Sequence, residues 1–144
     1  VPETALRAPT VPRRAGKGPS SLPHVQRFAI PIILPLLNAN DRAHWAAQNR
    51  LIRHWKWVTI SAAARIEPVQ GRVHIVATLH MPTRRSYDAG NYYPTLKACV
   101  DALVAPLRIL VDDDNTHVIG PDLRAGDTDP KHPRIVIDLI EEGL

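Results

Sequence analysis

A single cysteine, Cys99, among 144 residues leaves no partner for an internal disulfide and no thiolate cluster for zinc within one subunit. Long apolar runs are also missing. The longest, Phe28 to Leu37, is about half of what crosses a bilayer and contains two prolines. No apolar signal-peptide core precedes it, because residues 1–27 are rich in Pro, Arg, Gly and Ser, so a soluble cytoplasmic protein is expected. The seven histidines show neither zinc-site spacing nor a His-x-x-x-His pair. A glycine-rich phosphate loop is absent, which removes support for ATP or dinucleotide binding. There is no internal repeat and no sign of a second domain.

What is present fits one hydrophobic core. The apolar share of 44% is that of a globular chain, and the length suits a single domain. The formal charge is +4, and its distribution says more than its total. Residues 1–27 carry Arg7, Arg13, Arg14, Lys17 and Arg27 against Glu3, and with five prolines and no periodicity they read as a flexible basic arm. Residues 28–144 are formally neutral but divided. From Arg42 to Lys97 nine Lys and Arg face only Glu67 and Asp88, whereas from Ala98 onward four face ten Asp and Glu. Cations that hold phosphates beside carboxylates that hold a metal are what a metal-using nuclease needs, although two ordinary surfaces of opposite sign give the same count.

Periodicity gives the coarse structure. Phe28–Leu34 is β-rich, and Pro31, lacking a ladder donor, suits an edge strand. A helix capped by Asn40 or Asp41 runs toward Ala64, with Leu51, Trp55, Val58 and Ala62 as its apolar stripe and Arg50, Arg53 and Lys56 elsewhere on its surface. Trp45, Trp55 and Trp57 are expected in a core or an interface. Arg72–His80 alternates as a strand, with Val73, Ile75, Ala77 and Leu79 on one side. A polar loop, Pro82 to Asn91, leads to a helix over Pro94–Val104, with Leu96, Val100, Leu103 and Val104 as its buried face. Leu107–Val111 is a short apolar segment, Asp122–Pro133 a polar loop, and Arg134–Ile140 a closing strand. The fold class is therefore α+β: a small single domain with a mixed sheet of three or four strands and two main helices.

The densest polar signal is Asp88, Asn91, Lys97, Asp101 and the run Asp112-Asp113-Asp114. Lys97 and Asp101, four apart on a helix, share a side. If Asp88 and the run converge, such hard oxygen ligands suit Mg²⁺ or Mn²⁺, and the ion would activate a water against phosphate while Lys97 supplies a fixed positive charge. Plainer readings stand beside these. The aspartate run also fits a solvated turn, Lys97–Asp101 an ordinary helix pair, and Asn91 an N-cap. Arg84 and Arg85, just ahead of Asp88, are placed to clamp phosphates but also suit a surface loop. Tyr92 and Tyr93 are open to contact, and His117 lies close to the run.

At these residues the chain resembles the RusA-like Holliday junction resolvases, in particular those carried by phages and prophages of actinobacteria. The resemblance spans roughly Ile30 to Ile140. It rests on Leu34-Pro35-Leu36-Leu37-Asn38, on Arg84-Arg85-x-x-Asp88 with the nearby Asn91, on Lys97-x-x-x-Asp101-Ala102-Leu103, and on Asp112-Asp113. It implies a RusA-like endonuclease domain over 28–144, working as a homodimer in the bacterial cytoplasm. That dimer would nick four-way DNA junctions in pairs, with Mg²⁺ or Mn²⁺ as cofactor. Carried over, the catalytic residues are Asp88, Lys97 and Asp113, and the metal ligands Asp88, Asp112, Asp113 and Asp101. Arg84, Arg85, Arg50, Arg53, Lys56 and Asn91 are the DNA-binding candidates. The chain departs from the pattern at Gly90, where the usual form has a second loop aspartate, so either Asp101, Asp112 or Asp114 supplies the missing ligand or the metal is held more weakly than in the typical member. Two alternatives follow: a junction- or DNA-binding protein with the same fold and no chemistry, and a nuclease acting on other branched DNA.

Overall fold

The computed structural model of the chain describes residues 24–42 and 44–142. Four strands and two helices follow in the order β1 (Val25–Pro31), α1 (Trp45–Ala62), β2 (Val73–His80), α2 (Tyr93–Val104), β3 (Val118–Ala125) and β4 (Arg134–Glu141). A 3-10 turn over Ala89–Tyr92 leads into α2. This is a small α+β domain with a mixed four-stranded sheet. β4 pairs antiparallel with β1 on one side and β2 on the other, and β3 runs parallel to β2 at the far edge.

Alternation drives the layering. Ile135, Ile137 and Leu139 of β4 are buried, as are Val73, Ile75, Ala77 and Leu79 of β2 and Phe28 and Ile30 of β1. Trp55 from α1 and Leu96, Cys99, Val100 and Leu103 from α2 complete the same core. The helical stripes are therefore as the sequence implies, with Leu51, Val58 and Ala62 packed at the margin. Pro94 sits in the first turn of α2, where a missing N–H costs nothing. Burial pushes the Cys99 thiol up to about 12, so it is a core residue without reactive character.

After β1 the chain leaves the sheet and lies against the helices. Three bonds from helix side chains hold this stretch. The Trp55 indole donates to the Pro35 carbonyl at 2.8 Å. The buried Thr95 hydroxyl accepts from the Leu37 N–H at 2.7 Å and donates to the Leu37 carbonyl at 2.9 Å.

Three boundaries differ from expectation. β1 covers Val25–Pro31 rather than Phe28–Leu34, because its ladder follows Arg134–Ile140 of β4 and stops at the proline. Residues 1–23 of the expected arm lie outside the described residues, and its last three positions, Val25–Arg27, open β1. Neither Asn40 nor Asp41 caps α1. Asn38 closes a turn by accepting from the Asn40 N–H at 2.8 Å, and the His44 side chain takes the cap by accepting from Ala46 N–H at 3.1 Å. The third difference is β3, which occupies Val118–Ala125 where the sequence read as a polar loop from Asp122. It is an edge strand with only Val118 fully buried, and Gly120 and Pro121 interrupt its pattern. No helix among the described residues is long and apolar enough to cross a membrane.

Leu139 is fully buried on the strand that joins both halves of the sheet, while Ile33 is 69% exposed. Leu139→Ala should cost ~2–5 kcal/mol in urea unfolding, and Ile33→Ala should stay within about 0.5 kcal/mol of the parent.

Candidate functional site

Lys97 projects from α2 two positions after the Thr95 anchor, on the opposite side of the helix, and its exposed ammonium meets two carboxylates. It donates to Asp101 Oδ1 at 2.8 Å, within the same helix, and to Asp113 Oδ2 at 2.5 Å, from the loop that follows. That loop is brought back by the turn after α2. The N–H groups of Ile109 and Leu110 donate to the Leu103 carbonyl at 2.8 and 3.0 Å, and both side chains are buried. Burying these two apolar side chains sets the aspartate run against α2. The structure thus brings Lys97, Asp101 and Asp113 together.

The remaining carboxylates turn elsewhere. Asp112 Oδ1 accepts from the Asp113 N–H at 2.7 Å. Asp114 Oδ1 accepts from the Thr116 hydroxyl at 2.8 Å and lies 2.6 Å from His117 Nδ1. Asp88 is the cap of the 3-10 turn, accepting from the Gly90 N–H at 3.0 Å. Asn91 works through its backbone: its N–H donates to the Asp88 carbonyl at 3.1 Å and its carbonyl accepts from Ala39 N–H at 2.7 Å.

Among the described residues, no three His, Cys, Asp or Glu side chains are grouped so that they could hold a metal ion. This overturns the expectation of a Mg²⁺ or Mn²⁺ centre built from Asp88, Asp112, Asp113 and Asp101, together with the support that such a centre lent to a nuclease. The physical reason is visible in the bonds. The Lys97 ammonium sits between Asp101 and Asp113, where it neutralises the repulsion that a cation would otherwise be needed to relieve. Asp88 and Asp112 each turn one oxygen, Oδ1, to a backbone N–H group, and Gly90 brings no carboxylate to the loop.

The electrostatics fix protonation states. The Lys97 hydrogen bond lowers the Asp113 pKa, and the bonds to Asp101 and then Asp113 raise that of Lys97. His117 and Thr116 likewise hold the Asp114 carboxyl below its usual range. Lys97 stays charged and Asp113 stays ionised at neutral pH, so the pair supplies charge and direction and exchanges no protons there.

The expected phosphate contacts fall on two surfaces. Arg84 and Arg85 are exposed and make no ion pair among the described residues. Arg85 lines an open groove of about 590 Å³, walled by Ile32, Leu34, Asn38, Met81 and Tyr92 among others. On α1, Arg50 and Arg53 are exposed and Lys56 is half-buried. Trp55 is core, while Trp57 is 70% exposed and Trp45 nearly as open, so of the three only Trp55 belongs to the core. Helical geometry held the signal: Trp57 is two positions from Trp55, hence about 200° round the helix. Tyr92 is half-buried and packs edge-on to Tyr87 with ring centroids 6.0 Å apart. The Tyr87 hydroxyl is buried without a partner among the described residues.

No protein-family model matches the sequence, and no curated protein is significantly similar to it.

The sign of the acid response follows from the lowered Asp113 pKa. The pair's contribution is fully present above the ordinary carboxylate value of about 3.9 and is lost as pH falls through the lower folded value. Carboxyl NMR titration should find Asp113 ionising below that ordinary value, and Lys97→Met should move its midpoint upward.

Proposed function

We propose that this chain is a RusA-like, structure-selective endodeoxyribonuclease that binds four-way DNA junctions as a homodimer and nicks their backbones. The observation that carries the reading is the meeting of Lys97 with Asp113, 16 positions apart in sequence. These are two of the three residues to which the resemblance assigns the chemistry. An ammonium has three N–H donors. Asp101 and Asp113 engage two, which leaves one for a phosphate oxygen. Attack on a phosphodiester places extra negative charge on the phosphorus oxygens, and a held cation within reach stabilises it. Arg84 and Arg85 offer further phosphate contacts beside the Asp88 loop. Two-fold pairing would present two such surfaces to the two strands that a junction offers.

A second reading, junction binding without cutting, is favoured by one observation. Asp88, Asp101, Asp112, Asp113 and Asp114 are all already engaged within the chain. In this reading Gly90 marks the loss of the chemistry and the basic surfaces remain.

The test uses end-labelled four-way junctions, flaps and forks, incubated with the full chain in chelator and in divalent-cation buffer, so that ionic conditions do not decide the result. Symmetric nicks confined to the four-way junction are expected. Lys97→Ala and Asp113→Asn should each slow nicking by about 10²-fold or more with binding retained. A shifted but uncut junction in every buffer would leave binding alone, and nicks confined to flaps or forks would change the substrate. Neither a shift nor a nick would refute both readings.

A further inference from the structure

On α1 the residues opposite the buried Trp55 form a face that the site above does not use. Arg50, Arg53 and Trp57 are exposed and lie within one angular sector, since positions three, four and seven apart share a helix side. His54 is exposed at its margin. The Trp57 indole, 70% exposed, is the largest apolar group on this face. Neither arginine forms an ion pair among the described residues, and the first turn of α1 contains no acidic residue. The face therefore carries an exposed aromatic ring together with two guanidinium groups, one and two turns away, that pair with no described residue.

We propose that this face binds unpaired nucleotides of a nucleic-acid strand, with Trp57 stacking on a base and Arg50 and Arg53 holding the flanking phosphates. Charge selects this occupant. A second copy of the same face would bring four guanidinium groups together with no carboxylate between them. The 23 residues ahead of the described part are no better suited, carrying Arg7, Arg13, Arg14 and Lys17 against Glu3 alone. A strand of nucleic acid offers both complements at once, an aromatic face and a regular row of negative charge. Every base has such a face, so the contact is tolerant of sequence. A fully paired duplex hides its bases in the stack and would meet only the arginines. The inference deepens the reading of a branched-DNA protein, because bases next to a branch point are the ones most easily unstacked.

The experiment titrates the full chain with oligothymidine about 12 nucleotides long, and in parallel with a duplex of equal length, following tryptophan fluorescence and anisotropy. Oligothymidine should quench emission and bind more tightly than the duplex. Trp57→Ala should weaken oligothymidine binding by about tenfold or more, with Trp57→Phe retaining most of the affinity. Trp45 is equally open but about 120° round the helix, so Trp45→Ala should leave the affinity within about twofold. Replacing Arg50 and Arg53 together should flatten the dependence of log affinity on log salt by about 1.4, two phosphates' worth for a single strand.

Equal binding by parent and Trp57→Ala overturns the proposal, as does a duplex bound as tightly as the single strand, or no binding of oligothymidine at all. Self-association abolished by Trp57→Ala with oligothymidine binding unchanged also overturns it, assigning the face to a second copy. Junction nicking measured on the same preparations separates the two claims. Nicking that persists while Trp57→Ala binds normally sinks only the α1 face, and absent nicking with Trp57-dependent binding sinks only the nuclease.

Discussion

The buried Thr95 hydroxyl, bonded both to the N–H and to the carbonyl of Leu37, is the contact on which the site depends. Beyond Ile32 the stretch after β1 has no strand beside it, so its polar backbone needs partners from the helices and loops around it. Thr95 does this from the first turn of α2, and Trp55 does it from α1 through the Pro35 carbonyl. Two helices far apart in sequence are thereby registered on one extended segment. Lys97 follows two positions after Thr95, so the anchor that closes the core also fixes where the ammonium emerges. A buried hydroxyl with both roles filled costs little. One left without its partners would carry a desolvation penalty of about 1–3 kcal/mol.

The same economy explains the acidic cluster. Several carboxylates on a short loop repel one another, and a protein can answer with an ion, with its own cation, or with backbone donors. Here Lys97 answers for Asp101 and Asp113, and main-chain N–H groups answer for Asp88 and Asp112. The repulsion is thus relieved by the chain's own donors, and the Lys97 ammonium is the one full positive charge held among these carboxylates.

Much of this was legible in the amino-acid order because the signals were periodic. The alternation in Val73–Leu79 and Ile135–Leu139 and the stripe through Trp55 each follow from one repeat length. The convergence of Lys97 with Asp101 needed only helical spacing, and that with Asp113 needed a short apolar return whose Ile109 and Leu110 are buried. The failures have separate physical causes. β3 is an edge strand carrying Gly120 and Pro121, and an edge needs neither continuous apolarity nor a full set of donors. The metal expectation failed because composition counts carboxylates without showing what they are bonded to. Trp57 lies outside the core because it is about 200° round α1 from the buried Trp55.

Sheet order has one consequence for anything tethered to the domain. Val25 faces Ile140 across β1 and β4, and the Glu141 N–H donates to the His24 carbonyl at 2.9 Å, so both ends of the described fold emerge side by side. Val118, the first residue of β3, stands on the same rim, because β2 pairs Val73 with both Glu141 and Val118. Three regular strand spacings put that rim's two corners roughly 14 Å apart. Chain that enters the fold at His24 or leaves it after Glu141 therefore does so on the rim that carries Val118, whose N–H donates to the Asp114 carbonyl at 2.9 Å, so a bulky group held on that rim would crowd the acidic run.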